Sequence, residues 1–256
     1  DLDNGMTVSV SYELDGGNFD DMSLSLGLGD GMGTLGFSGT STSPGGVDSV
    51  KDIVPTAYTP VYENTDSTDN GLATLSGRNQ TGMWGYKNSV AGLDISLGYN
   101  NKNSTAHQDG ETSIGLTYAA MDGLTVVAGR FDDDGVAEND TYGIKYVYGN
   151  LTAAYQKTKV NYDATGTNDQ DATHYGVSMA VNDNLSVSAG RQVVDIDTAA
   201  DDETNTGVSA SYTMGSITVA GGFNDVTSIS GSTGSDAEVT MLNVAFASVS
   251  YTHLTL

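Results

Sequence analysis

From Met6 to Leu14 the chain alternates without a break: Met6, Val8, Val10, Tyr12 and Leu14 fall on one face, and Thr7, Ser9, Ser11 and Glu13 on the other. A period of two is what a pleated strand with one apolar face requires, and a helix cannot gather such positions into one stripe. The same pattern returns along the chain. Met22, Leu24, Leu26 and Leu28 carry it, then Leu35 and Phe37, Trp84 and Tyr86, Leu93 to Tyr99, Ile114 to Tyr118, and Leu124 and Val126. Tyr142 to Tyr148, Leu151 to Tyr155, Tyr175 to Val181, Leu185 to Ala189, Val208 to Met214, Ile217 and Val219, and Leu242 to Phe246 complete a predicted set of fourteen strands.

The connections between these strands are of two kinds, and the two kinds alternate. Tight turns at 29–31, 89–92, 121–123, 149–150, 182–184 and 215–216 use the Gly, Asn and Asp that hairpins demand. Longer polar connections are expected at 15–20, 41–81, 102–110, 132–139, 160–171, 195–203 and 225–235. In an antiparallel meander every second connection lies at the same end, so one end is trimmed and the other carries acidic loops. Each strand after a tight turn opens with Leu or Ile, at 93, 124, 151, 185 and 217, a hairpin repeat of about thirty residues. Propellers and solenoids have other periods and less asymmetric connections.

One connection is out of scale. Residues 41–81 are rich in Gly, Ser, Thr and Asp and hold all three prolines, Pro44, Pro55 and Pro60. Ordinary connections run to about 4–6 residues, so a stretch this long calls for a function. Its apolar segment, 50–62, predicts a loop that packs against something.

Charge narrows the function. Thirty-three acidic residues against nine basic ones give a formal charge of −24, which argues against nucleic acid, whose phosphates need clustered Lys and Arg. There is no Cys, so disulfides and thiolate chemistry are excluded. No apolar run reaches about 18 residues, so no helix is expected to cross a membrane. Strands can cross instead: about 9–11 tilted residues suffice, provided the sheet closes and leaves no backbone group unpaired in lipid. Tyrosines gather near strand ends, Tyr118, Tyr148 and Tyr212 by tight turns and Tyr99, Tyr142 and Tyr175 by long loops. Two girdles at two bilayer interfaces are implied, because a Tyr ring is apolar and its hydroxyl is polar. The expected fold is an all-β, antiparallel up-and-down transmembrane barrel, a single domain over 1–247, with 41–81 as a loop folded into its lumen.

The sequence resembles the general porins of Gram-negative bacteria, particularly the alphaproteobacterial type. The resemblance rests on the Tyr-Gly-Ile/Val openings (Tyr142-Gly143-Ile144, Tyr175-Gly176-Val177), the Leu-Thr/Ser-Val returns (Leu124-Thr125-Val126, Leu185-Ser186-Val187) and the one outsized loop. It implies sixteen strands, a homotrimer, an outer-membrane location among lipid and lipopolysaccharide, and a third external loop that narrows the pore. Only three strands precede the long loop where five are implied, so the first two strands are expected to be missing and Asp1 to Gly5 reads as a turn cut from its strand. The loop lacks the Pro-Glu-Phe signature of several porin branches. Residues 248–256 do not end in the terminal Phe of the class and are expected to be a non-native tail.

The implied function is passive diffusion of ions and small hydrophilic solutes, with cations favoured and no enzymatic activity. A substrate-specific porin is the alternative within transport, and a secreted or surface β-rich adhesin the alternative outside it. Opposed charges at a narrow point orient dipolar solutes and bias ions. On the loop Asp48, Asp52, Glu63, Asp66 and Asp69 are the candidate acids. The candidate bases are Arg78 in the returning limb and Lys87 and Lys145, whose phase turns them inward. Arg130, Lys157 and Arg191 fall on the outward phase, where lipopolysaccharide phosphates or a neighbouring subunit would meet them. No cofactor is expected, with one qualification: Asp132, Asp134, Asp195 and Asp197 are candidate calcium ligands on external loops, since hard cations take several carboxylate oxygens, although their spacing is not that of an EF-hand. The three histidines, His107, His174 and His253, give no zinc signature and no nucleophile partner.

Overall fold

The computed structural model describes residues 5–15, 18–39, 45–62, 82–101, 110–133 and 135–247. Fourteen strands form one antiparallel sheet in strict chain order. They are β1 (Thr7–Asp15), β2 (Asn18–Gly27), β3 (Thr34–Ser38), β4 (Met83–Val90), β5 (Leu93–Asn100), β6 (Glu111–Met121) and β7 (Leu124–Asp133). They continue as β8 (Ala137–Tyr148), β9 (Leu151–Tyr162), β10 (Gln170–Ala180), β11 (Leu185–Ile196), β12 (Glu203–Met214), β13 (Ile217–Thr227) and β14 (Ala237–Phe246). β1 and β14 are the two edges, and among the described residues no ladder joins them.

The sheet is inside out relative to a water-soluble one. Val208, in the middle of β12, is 55% exposed, whereas Gln192 and Asn205, paired across β11 and β12, are fully buried. The apolar face therefore looks outward and the polar face encloses the interior, the arrangement of a transmembrane barrel. Exposed aromatic side chains mark both ends of the outer face. Trp84 and Tyr99 lie at the long-loop end, and Tyr118, Tyr146, Tyr148 and Tyr212 toward the tight turns. Tyr142, Tyr155 and Tyr175 lie nearer mid-strand, where the outward positions change from apolar to polar on the way to the long loops.

The tight turns follow from local chemistry. Ala91 and Gly92 alone connect β4 to β5, with φ of 52° and 80°. Two successive left-handed residues match the twist of a hairpin, and the glycine takes the second at no steric cost.

At the opposite end the ladders run further than apolar alternation predicts. Where a loop is expected over 132–139, β7 continues to Asp133 and β8 begins at Ala137; where one is expected over 15–20, β1 reaches Asp15 and β2 begins at Asn18. The reason is visible on β7 and β8. The outward positions there are Arg130, Asp132, Glu138 and Asp140, so the side chains change from apolar to charged while the backbone pairing continues unchanged. Alternation of apolar residues measures the hydrocarbon band, and the strands outlast it.

Candidate functional site: a loop pinned inside the barrel

Residues 45–62 lie against the inner face and cross it from β5 to β13. The path is written in hydrogen bonds from wall to loop backbone. Gly46 N–H donates to Ser96 Oγ on β5 at 2.8 Å, and Val47 N–H to Ser113 Oγ on β6 at 2.6 Å. A short 3-10 turn, Val47–Val50, then sets Val47 and Val50 against Val127 and Phe131 of β7, the one fully apolar cluster on this face among the described residues.

Gln156 on β9 holds the next turn from both ends of its amide. Its Nε2 donates to the carbonyls of Val50 (2.8 Å) and Lys51 (3.1 Å) and to Thr141 Oγ1 (2.8 Å), while its Oε1 accepts from Ile53 N–H at 3.0 Å. Further on, Ala57 N–H donates to Ser188 Oγ on β11 and Tyr58 N–H to Ser209 Oγ on β12. Asn224 Nδ2 on β13 donates to Pro60 O at 3.0 Å. There the chain turns back, with Val61 over β11 and Tyr62 beside His174 of β10.

The wall makes room for this loop with glycine. Gly98 of β5, Gly115 of β6, Gly129 of β7, Gly143 of β8, Gly176 of β10 and Gly190 of β11 all face inward beneath it. A Cβ added to Gly129 would lie 2.7 Å from Val47 Cγ2; one on Gly143 would lie 2.7 Å from Ile53 Cδ1, and one on Gly176 2.8 Å from Val54 Cγ1. These are closer than carbon atoms approach, so the β-branched loop side chains occupy notches that only glycine leaves open.

The loop is also braced within itself. Asp52 Oδ2 accepts the Tyr62 hydroxyl at 2.5 Å and Oδ1 accepts Val54 N–H at 3.0 Å, tying its outgoing limb to its return. His174, almost fully buried, stands edge to face with Tyr62 and has Nδ1 3.8 Å from Asp52 Oδ1. Asp48 pairs with Lys51 at 2.7 Å. Two of the acids expected at a narrow point, Asp48 and Asp52, are thus on the loop surface inside the barrel, each engaged by a loop side chain.

Lys87 and Lys145 both face the interior: Lys87 lies opposite Ser96, and Lys145 opposite Ala154 and Thr125. Both sit toward the tight-turn end. Glu63, Asp66, Asp69 and Arg78 lie outside the described residues, as do Asp134, His107 and 248–256. Of the expected calcium ligands, Asp132 and Asp195 point outward from β7 and β11, and Asp197 lies just past the end of β11. Among the described residues no group of three or more His, Asp or Glu could hold a metal ion. Arg130 and Lys157 do take the outward positions that their phase predicts. Arg130 pairs with Glu138 (2.7 Å) and Asp140 (3.2 Å), and Lys157 with Asp171 (3.3 Å).

Sequence reasoning passed over the residues that fix the loop: Ser96, Ser113, Gln156, Ser188, Ser209 and Asn224. Hydroxyls and amides on an inward phase read as generic pore lining. The glycines carried the available signal, since an isolated Gly inside a strand marks close approach by another backbone.

A family model described as Gram-negative porin matches residues 1–247. Among solved structures, a porin refined at 1.8 Å resolution superposes with a TM-score of 0.67 at 16% identity, covering 94% of this chain and 91% of that one. A variant of Rh. blastica porin gives 0.65 at 15% identity, over 96% of this chain and 86% of the other. Outer-membrane expressed OmpT of Vibrio cholerae gives 0.63 at 14%, over 89% and 76%. No curated protein matches the sequence.

Proposed function

Because the chain belongs to the Gram-negative porin family and is therefore an outer-membrane channel protein, we propose that it is a general diffusion porin that passes ions and small hydrophilic solutes and favours cations. The observation that carries this reading is the loop itself. A segment hydrogen-bonded to the inner wall from β5 to β13 narrows a polar lumen without depending on a bound partner.

Charge supports the cation preference. Among the described residues, the wall strands turn Asp94, Glu111, Asp133 and Glu203 inward against Lys87 and Lys145, and the loop adds Asp48 and Asp52 against Lys51. An excess of fixed carboxylates in a confined lumen raises the local cation concentration. In this reading Asp48 and Asp52 are the acidic side of the constriction, and Lys87 and Lys145 the basic side. The barrel is further proposed to be a homotrimer seated in outer-membrane lipid and lipopolysaccharide, a reading supported by family membership and by the exposed apolar outer wall.

Protein folded in detergent and added to planar bilayers should give stepwise conductance increments; a soluble, non-conducting product would sink the channel reading. Sedimentation in detergent reports the trimer, and a monomer under conditions that preserve conductance would overturn it.

A further inference from the structure

On the tight-turn side of the loop, the wall of β3–β6 forms a recess of about 620 Å³ open to the lumen. Thr34, Lys87, Ser96, Asp94 and Thr117 face it from the wall, and Ser49 from the loop. The register fixes how its two charges stand. Lys87 lies opposite Ser96, and Asp94 is two residues before Ser96 on the same strand, so the ammonium and the carboxylate are diagonal neighbours on one face. Diagonal pairs have their Cβ atoms about 7–8 Å apart or somewhat less, within reach of a lysine that folds toward an aspartate.

They do not meet. Among the described residues neither Lys87 nor Asp94 is in an ion pair, and both are exposed in the recess. The contrast with the outer wall is direct, since Arg130 and Lys157 there both close onto carboxylates. A cation and an anion held side by side but apart, among hydroxyls and of a size that suits a small molecule, offer complementary ends to a solute that carries both charges itself.

We propose that this recess binds small zwitterions of the α-amino acid class, the solute carboxylate on Lys87 and its ammonium on Asp94, as they pass through the lumen. Sugars are disfavoured on the same evidence. The nearby aromatic side chains, Phe37, Trp84, Tyr86 and Tyr99, lie on the outward phase, so among the described residues no ring lines the recess for a sugar face to stack on. The hydroxyls of Thr34 and Thr117 are left to meet polar side chains of the solute, while Ser49 Oγ, which donates to Gly46 O at 2.9 Å, can serve only as an acceptor. The inference rests on the diffusion-porin reading for the route of entry, and on the geometry of β3–β6 for the binding.

The test is liposome swelling with glutamine and with arabinose, solutes of nearly equal mass, using wild-type protein and the variants K87M and D94N. The wild type should admit glutamine about threefold faster than arabinose, the scale expected when exposed charges engage weakly. Each variant should bring the glutamine-to-arabinose ratio close to one, and the charge-reversed double variant K87D/D94K should recover part of it, because a zwitterion can bind the other way round. A wild-type ratio of one, or a ratio that survives in both single variants, overturns the proposal. Saturation-transfer NMR with glutamine and detergent-folded protein separates the two readings. Glutamine binding without any swelling retains the recess and removes the diffusion porin, whereas arabinose swelling without a glutamine advantage removes only the recess.

Discussion

Gly129 shows how a single missing side chain sets the bore of the channel. It faces inward between Gly115 and Thr141, and a Cβ there would meet Val47 Cγ2 at 2.7 Å and Val50 Cγ2 at 2.8 Å. Neither valine can swing aside cheaply, because β-branched side chains have few rotamers. Gly129→Ala should therefore push the 3-10 turn off the wall and into the lumen, with overpacking costing about 1–3 kcal/mol in denaturant unfolding, and should lower single-channel conductance. Gly135→Ala is the control: its Cβ would meet nothing within 4 Å, so its left-handed φ of 79° is strained but conductance should not change. Gln156→Leu attacks the same turn from β9. It removes the partners of Val50 O, Lys51 O and Ile53 N–H together, at about 1–3 kcal/mol for each group left buried and unmet. Open-channel current noise should rise as the turn detaches and returns; a quiet trace at wild-type conductance would show that Gln156 does not hold the loop.

Among the elements, the strands were the legible part and the loop path was not, for a physical reason. A strand of a membrane barrel declares itself by local alternation, and from β1 to β14 each alternating apolar run falls on a strand of the sheet to within a residue at its ends, as Met6, Leu28 and Val181 do just beyond β1, β2 and β10. Strand ends at the loop side were misjudged because Arg130, Glu138 and Asp140 break the apolar pattern where the strands leave lipid, not where pairing stops. The loop depends on partners 50 to 164 residues away, such as Ser96 for Gly46 and Asn224 for Pro60, and no local pattern reports them. Its apolar segment nevertheless announced packing, and the inward phases of Lys87 and Lys145 could be counted from Trp84 and Ile144. The strand faces can be tested on β10, where Val177 is exposed at mid-strand and its neighbour Ser178 lies across from Ser188 on the inner face. Val177→Arg should destabilise the barrel in lipid by about 2–4 kcal/mol, the cost of a cation near the bilayer midplane. Ser178→Arg should fold into liposomes at nearly the wild-type yield. Equal losses for both would contradict the assignment of faces.

For the molecule as a whole, charge is distributed unevenly between surfaces, and this decides what bulk charge can predict. The formal charge of −24 includes outward carboxylates such as Asp132, Glu138, Asp140 and Asp171, several of them paired with Arg130 or Lys157, and these do not face permeating ions. Selectivity has to come from the lumen, where Asp48, Asp52 and Asp94 share the passage with Lys51, Lys87 and Lys145 near the loop. Near-balance at that level, with Glu111, Asp133 and Glu203 added toward the loop end, makes the preference a property of the field along the whole lumen and not of one contact. Such a field is sensitive to screening. The Debye length is about 30 Å at 0.01 M salt and about 3 Å at 1 M, so carboxylates set back in the wall act across the lumen only in dilute salt. Reversal potentials across a KCl gradient should accordingly show potassium favoured most strongly at 0.01 M, with the preference fading toward 1 M. Asp94→Asn should reduce the preference at low salt, and Lys145→Met should increase it. Anion preference at low salt would sink the cation reading, and a preference independent of salt would locate it at a tight contact instead of in the distributed field.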